Sequence, residues 1–171
     1  MRLLLYRAVP SSQPLFTVRQ ADATDIPLLA YHRAAMFRDM GKLAPDQADA
    51  LTRATASYLR TALPGGEYLG WVAQETAAPA AVIGGAGAQI RPILPRPRTG
   101  GELELGPEAI ILNVYVEVAW RRRGVGEALM RAVLDALVQS GIRRVVLHAA
   151  EDGRRLYERL GFVASNEMRL E

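Results

Sequence analysis

Residues 110–141 read IILNVYVEVAWRRRGVGEALMRAVLDALVQSG. The β-branched, apolar run from Ile110 to Val116 predicts a strand. It breaks into Arg121-Arg122-Arg123-Gly124-Val125-Gly126, and Leu129, Met130, Val133, Leu134, Leu137 and Val138 then recur at helical spacing until Gly141 stops them. A strand, a basic glycine turn and a helix N-terminus together make an anion site. The first N–H groups of a helix lack partners, and the helix dipole places partial positive charge there. Gly124 and Gly126 let the backbone approach a bulky anion, and the arginines add forked donors suited to phosphate oxygens.

Two common phosphate loops do not fit this turn. A Walker A loop needs Lys-Ser/Thr after its last glycine, where Glu127-Ala128 stand. A dinucleotide fingerprint needs a third glycine at the position of Leu129. A solvated basic turn is the bland alternative.

Outward from this stretch, the chain alternates strands and helices. Residues 1–14 form an irregular arm with Pro10 and Pro14, and Leu15 to Arg19 has strand composition. Asp22 or Thr24 caps a first helix that runs to about Met40, with Gly41 beyond it. Pro45-Asp46 opens a second helix whose apolar stripe is Leu51, Ala54, Tyr58, Leu59 and Leu63. Tyr68 to Ala73 and Ala80 to Ile90 make an antiparallel hairpin, its glycines marking a bulge or the close approach of another group. Residues 91–108 are a proline- and glycine-rich loop whose Arg91, Arg96 and Arg98 either meet an acidic substrate or are solvated. After the central helix come a buried strand, Arg143 to Ala149, a short helix, Gly153 to Leu160, capped by Asp152, and a last strand, Phe162 to Leu170. The whole reads as one α/β domain over residues 1–171, a mixed sheet with helices on both faces.

Composition narrows the function. The 171 residues hold no cysteine, which removes disulfides and thiolate chemistry, and only His32 and His148, which removes a histidine-rich metal centre. Both histidines read as structural. No apolar run is long enough to span a bilayer and no signal peptide stands out, so we expect a cytoplasmic location without a membrane partner. The net charge of +3 suits an anionic ligand. Nucleic acid is not expected, because the arginines scatter outside 121–123 and only Trp120 stands beside them for stacking.

Arg121-x-x-Gly124-x-Gly126, five residues after Val116, resembles the acetyl-CoA signature of the GCN5-related N-acetyltransferases. Residues 148–162 (HAAEDGRRLYERLGF) resemble that family's closing segment, with Tyr157 on a short helix before Gly161-Phe162, although Ala150 and Arg155 replace a serine and a proline found in some members. The element order matches over residues 15–170. The resemblance implies the GNAT fold, a mixed and mostly antiparallel sheet, and an enzyme that moves an acetyl group from acetyl-CoA to an amine without a metal. It implies pantetheine pairing with the backbone of Val116 and Val118, and pyrophosphate held by Arg121, Arg122, Arg123, Gly124, Val125, Gly126 and Glu127. It implies an oxyanion donor in the backbone near Val116 and a proton from Tyr157 for the leaving thiolate. Glu117, Glu108 and Glu75 are candidates for the base. Asn113 and Asp39 are candidates for the substrate site, and Ala86 and Gly87 leave room near the acyl end. A homodimer is compatible with the resemblance, as is a non-catalytic acyl-CoA sensor on the same fold. The acceptor amine is not legible.

Overall fold

The computed structural model describes residues 14–97 and 100–166. Residues 1–13 of the expected arm, Arg98, and the 167–170 part of the expected last strand lie outside the described residues. The elements in chain order are β1 (Phe16–Gln20), α1 (Ile26–Asp39), α2 (Ala48–Ala62), β2 (Tyr68–Glu75), β3 (Val82–Arg91), β4 (Arg96–Pro97) and β5 (Leu103–Glu104). Then come β6 (Glu108–Val116), α3 (Val125–Gln139), β7 (Arg144–Leu147) and α4 (Arg154–Arg159).

Five strands form one sheet in the order β1-β2-β3-β6-β7. Its pairs are antiparallel except β6–β7, which is parallel. Strand alternation divides β2 between two cores. Tyr68 and Val72 face α1 and α2 with Leu29, Ala30 and Leu59. Trp71 and Ala73 face α3, whose Leu129, Val133 and Leu137 are fully buried. Leu156 and Tyr157 of α4, with Leu160 just after it, pack on this second core, so helices cover both faces as expected.

The entry to α1 follows its sequence signal. Asp22 accepts from the Thr24 N–H, and the Asp25 carboxylate accepts from the Asp22 N–H, forming a capping box. Arg19 holds Asp25 with two bonds of 2.7 and 2.9 Å.

Several local expectations are corrected. The buried face of α2 is Thr55, Ala56, Leu59 and Ala62, while Ala54 and Tyr58 are exposed. The small residues lie against α1, and the tyrosine swings to the rim. β7 is short and half-buried rather than a buried strand, because among the described residues no strand lies beyond it. Asp152 caps nothing; it lies inside a 3-10 turn, Glu151–Gly153, that leads into α4. Residues 162–166 carry no strand. The 91–108 loop is not plain: it includes the end of β3 and the β4–β5 ladder.

Two irregularities of β6 leave part of the strand open. Its pairing with β7 runs from Glu108↔Arg144 to Ile111↔Leu147 and stops, so residues 112–116 have, among the described residues, no strand on that side. Against β3 the register passes from Gly87↔Leu112 to Gly85↔Tyr115. Asn113 and Val114 therefore oppose Ala86 alone, a β-bulge, with Asn113 at φ 58°. Asparagine is among the residues that tolerate this left-handed region.

The β3 glycines mark close approaches, as their pattern predicts. A Cβ on Gly87 would collide with the Tyr68 hydroxyl, and one on Gly85 would stand 3.1 Å from Nδ1 of His32. The space over Gly87 is thus filled by Tyr68 and is not room for an acyl group.

Candidate active site

The basic turn is exposed from Arg121 to Gly124, and α3 begins at Val125. Gly124 stands at the N-cap with φ 83°, a conformation that glycine adopts without penalty. No side chain caps this end, and the first helical bond returning to the cap is from the Ala128 N–H to the Gly124 carbonyl at 3.0 Å. The N–H groups of Val125, Gly126 and Glu127 precede that bond and are left for a ligand. Among the described residues Arg122 has no ion pair and Arg123 only stacks on Trp120 at 5.1 Å, so both charges are available. The Glu127 side chain turns away to Arg131 at 2.8 Å, with Arg159 at 3.8 Å. The hydrogen bond from Arg131 holds its carboxyl below the usual range. Only its backbone belongs to the turn's donor set.

Arg121 is not a free cation. Its Nε donates to the Val116 carbonyl at 2.9 Å, its other end pairs with Asp39 at the end of α1, and its guanidinium lies 5.5 Å from the Tyr115 ring centre. It clamps the turn to β6 and α1. Asp39, a candidate for attracting an ammonium group, is paired by the same contact.

At Val116 the backbone N–H of β6 turns away from β3. The Glu117 N–H donates to the Ile83 carbonyl on the β3 side at 2.9 Å, so alternation turns the Val116 N–H to the other side, where β7 has ended. Val118 starts a 3-10 turn, Val118–Trp120, so continuous strand-like pairing ends before it. On that side α4 comes close to β6 and to the start of α3. A Cβ on Gly126 would touch Leu156 at 3.6 Å and Val116 at 3.7 Å, which measures how near α4, β6 and the helix start come together.

Tyr157 is half-buried against Phe162, ring centres 6.3 Å apart and edge to face. Its hydroxyl has no hydrogen-bond partner among the described residues, and burial pushes its pKa up. The ring folds back over Gly153, where a Cβ would come within 2.7 Å of it. Gly153 does not stand out in the sequence; a glycine one helical turn before an aromatic is the signal for such packing.

His32 is the other residue whose place the sequence does not reveal. It is fully buried, lies 5.1 Å from the Tyr115 ring and 3.5 Å from Oε1 of Glu117, and neither ring nitrogen has a hydrogen-bond partner among the described residues. Burial lowers its pKa from 6.5 to about 4. A histidine amid the alanines of α1, facing a glycine on β3, was the available signal. Glu117 is partly exposed beside it at the open end of β6.

Of the other candidate bases, Glu75 is at this end of the sheet but two strands away, and Glu108 is at the opposite end. Glu108 begins β6, about 25 Å of strand away from Val116. It is 2% exposed and held by Arg91 at 2.6 Å and by Arg144. It joins β3, β6 and β7 through these two ion pairs. Glu75 lies on β2, two strands or about 10 Å from β6. Arg96 pairs with Glu104 at 3.0 Å, so neither it nor Arg91 waits for a substrate. Asn113 lies in the bulge, bonded to Arg33 and Tyr68. Among the described residues no three His, Asp or Glu side chains gather as a metal site, and no helix is long and apolar enough to cross a membrane.

Residues 32–162 match the model of the acetyltransferase (GNAT) family. A GCN5-related N-acetyltransferase from Ralstonia eutropha JMP134 is 32% identical, with 91% of this chain and 97% of that one covered and a TM-score of 0.79. A predicted acetyltransferase from Clostridium acetobutylicum, solved with acetyl-CoA, is 25% identical, with 91% and 96% covered and a TM-score of 0.74. Glucosamine-6-phosphate N-acetyltransferase from Arabidopsis thaliana shares the fold at 15% identity, with 91% and 97% covered and a TM-score of 0.66. No curated protein matches the chain.

Proposed function

The chain belongs to the acetyltransferase (GNAT) family, and on that footing we propose that it transfers an acetyl group from acetyl-CoA to the amine of a small acceptor in the cytoplasm. The observation that carries this reading is an uncapped helix N-terminus joined by a short turn to a strand whose last residues, among the described residues, have no neighbour on one side. The first feature suits a pyrophosphate and the second suits an extended amide chain. The acetyl-CoA in the Clostridium protein's structure supports the same choice.

The donor set fits that molecule. The N–H groups of Val125, Gly126 and Glu127, with Arg122 and Arg123, would hold its phosphates, and Val116 would pair with its pantetheine arm. Acetyl-CoA supplies the activated thioester. The chain supplies position first, since orienting two reactants is the largest service available without covalent chemistry. The Val116 N–H holds negative charge that develops on the acyl oxygen. Tyr157, kept protonated by burial, offers its proton to the departing sulfur. Glu117 accepts a proton from the amine, and His32, neutral at pH 7, stands behind it as a positioning residue.

Thiol release from acetyl-CoA, monitored across an amine panel, tests the proposal. Turnover with at least one amine, strongly slowed in Tyr157→Phe, is expected. Binding of acetyl-CoA without turnover of any amine would favour a non-catalytic acyl-CoA sensor instead.

A further inference from the structure

On the α1–α2 face of the sheet lies a cleft of about 330 Å³, lined among others by Arg33, Tyr58, Tyr68, Gln89, Leu112 and Asn113. Its volume suits a small molecule. Leu112 and Asn113 are the first residues of β6 beyond the last pair with β7, Ile111↔Leu147. The cleft therefore meets the open part of β6 from the face opposite α3.

Its polar groups are arranged as donors. Arg33 donates to Oδ1 of Asn113 at 2.5 Å, and Nδ2 of Asn113 donates to the Tyr68 hydroxyl at 3.1 Å. A guanidinium cannot accept, so Asn113 must present its oxygen to Arg33 and its amide N–H to Tyr68. Tyr68 is thereby the acceptor in that bond, and its own proton is left to donate. Tyr58 likewise accepts from Nε2 of Gln89 at 2.9 Å and keeps its proton free. Burial raises the Tyr68 pKa to about 12, so the phenol stays protonated. Arg33 stacks over Phe37 at 5.0 Å, and no carboxylate pairs with it among the described residues. No Asp or Glu lines the cleft. A partly desolvated guanidinium without a counter-ion, flanked by two phenol donors, is complementary to an anion.

We propose that this cleft is the acceptor site and that Arg33, with Tyr58 and Tyr68, holds a carboxylate on the acceptor, so that the substrate class is amino acids and other carboxylate-bearing amines. The amine half of this statement rests on the acetyltransferase reading; the carboxylate half does not.

The test has two arms on the full chain. The first titrates hexanoate, and separately hexylammonium, into the protein by NMR. Hexanoate is expected to shift resonances of the cleft and hexylammonium is not, and Arg33→Met is expected to weaken hexanoate roughly 10- to 100-fold. The second compares acetylation of amino acids with that of the same molecules lacking the carboxylate. The amino acids are expected to have the higher kcat/KM, the preference disappearing in Arg33→Met mainly through KM. Tyr58→Phe, a change at the exposed rim, is expected to raise KM for the amino acids alone. Hexylammonium binding as well as hexanoate, or a kcat/KM indifferent to the carboxylate, would overturn the proposal. Hexanoate binding through Arg33 with no amine acetylated would keep the anion site and sink the acetyltransferase reading.

Discussion

The two glycines of the basic turn should respond to alanine with opposite signs. Gly124 has φ 83° and open space around its missing Cβ, so alanine there meets no atom but must hold a left-handed backbone. That conformation costs an L-residue about 1–2 kcal/mol. Gly126 is inside the first turn of α3, and its added Cβ would lie at 3.6 and 3.7 Å from Leu156 and Val116, ordinary contact distances. Alanine is better than glycine in a helix by about 0.8–1.0 kcal/mol. The two variants should therefore differ by about 2–3 kcal/mol, with Gly124→Ala below the wild type and Gly126→Ala at or above it. For a chain of this length that is a separation of roughly 4–12 °C in Tm, at about 2–4 °C per kcal/mol. Thermal unfolding of both variants, checked by urea denaturation, reads it directly. Equal losses in both, or a larger loss in Gly126→Ala, would refute the assignment of the left-handed cap to Gly124.

Three more outcomes are expected from the site and its surroundings. His32 has a folded-state pKa of about 4 against 6.5 unfolded, so its stabilising contribution is complete above pH 6.5 and is lost as pH falls toward 4. This amounts to about 3 kcal/mol, and urea denaturation across that range should show His32→Leu losing much of the wild type's acid sensitivity. Glu108→Gln leaves the partly exposed Arg91 and Arg144 facing a neutral group and should lower stability by about 1–3 kcal/mol, while kcat of the folded enzyme stays near wild type. A kcat collapse with unchanged stability would return Glu108 to the candidate bases. Tyr157→Phe should reduce kcat about 100-fold or more with little change in acetyl-CoA affinity; calorimetry beside thiol-release kinetics separates the two.

The architecture was legible because local and global signals agree in it. The apolar run of β6, the glycine turn and the stripe of α3 each specify their element, and together they specify a strand–turn–helix unit. The missed features depend on contacts distant in sequence. Nothing near Arg121 reveals that Asp39, on another helix, occupies its guanidinium. Glu108 looks free in the sequence because its partners Arg91 and Arg144 come from two other strands. The α2 stripe misleads because Tyr58 is large and apolar by composition, yet its hydroxyl keeps it at the rim against Gln89. The bulge at Asn113 has no local turn signature, since one polar residue in an apolar strand fits many roles.

Calorimetric titration of acetyl-CoA into the wild type and into Arg123→Glu tests the central claim most directly. Arg123 is exposed, has no ion pair among the described residues, and adjoins the α3 N-terminus, so reversing its charge changes the site more than the fold. The account predicts micromolar binding by the wild type and a loss of tenfold or more in the variant. No binding by the wild type, or the same affinity in both, would contradict it and leave the basic turn without its anion.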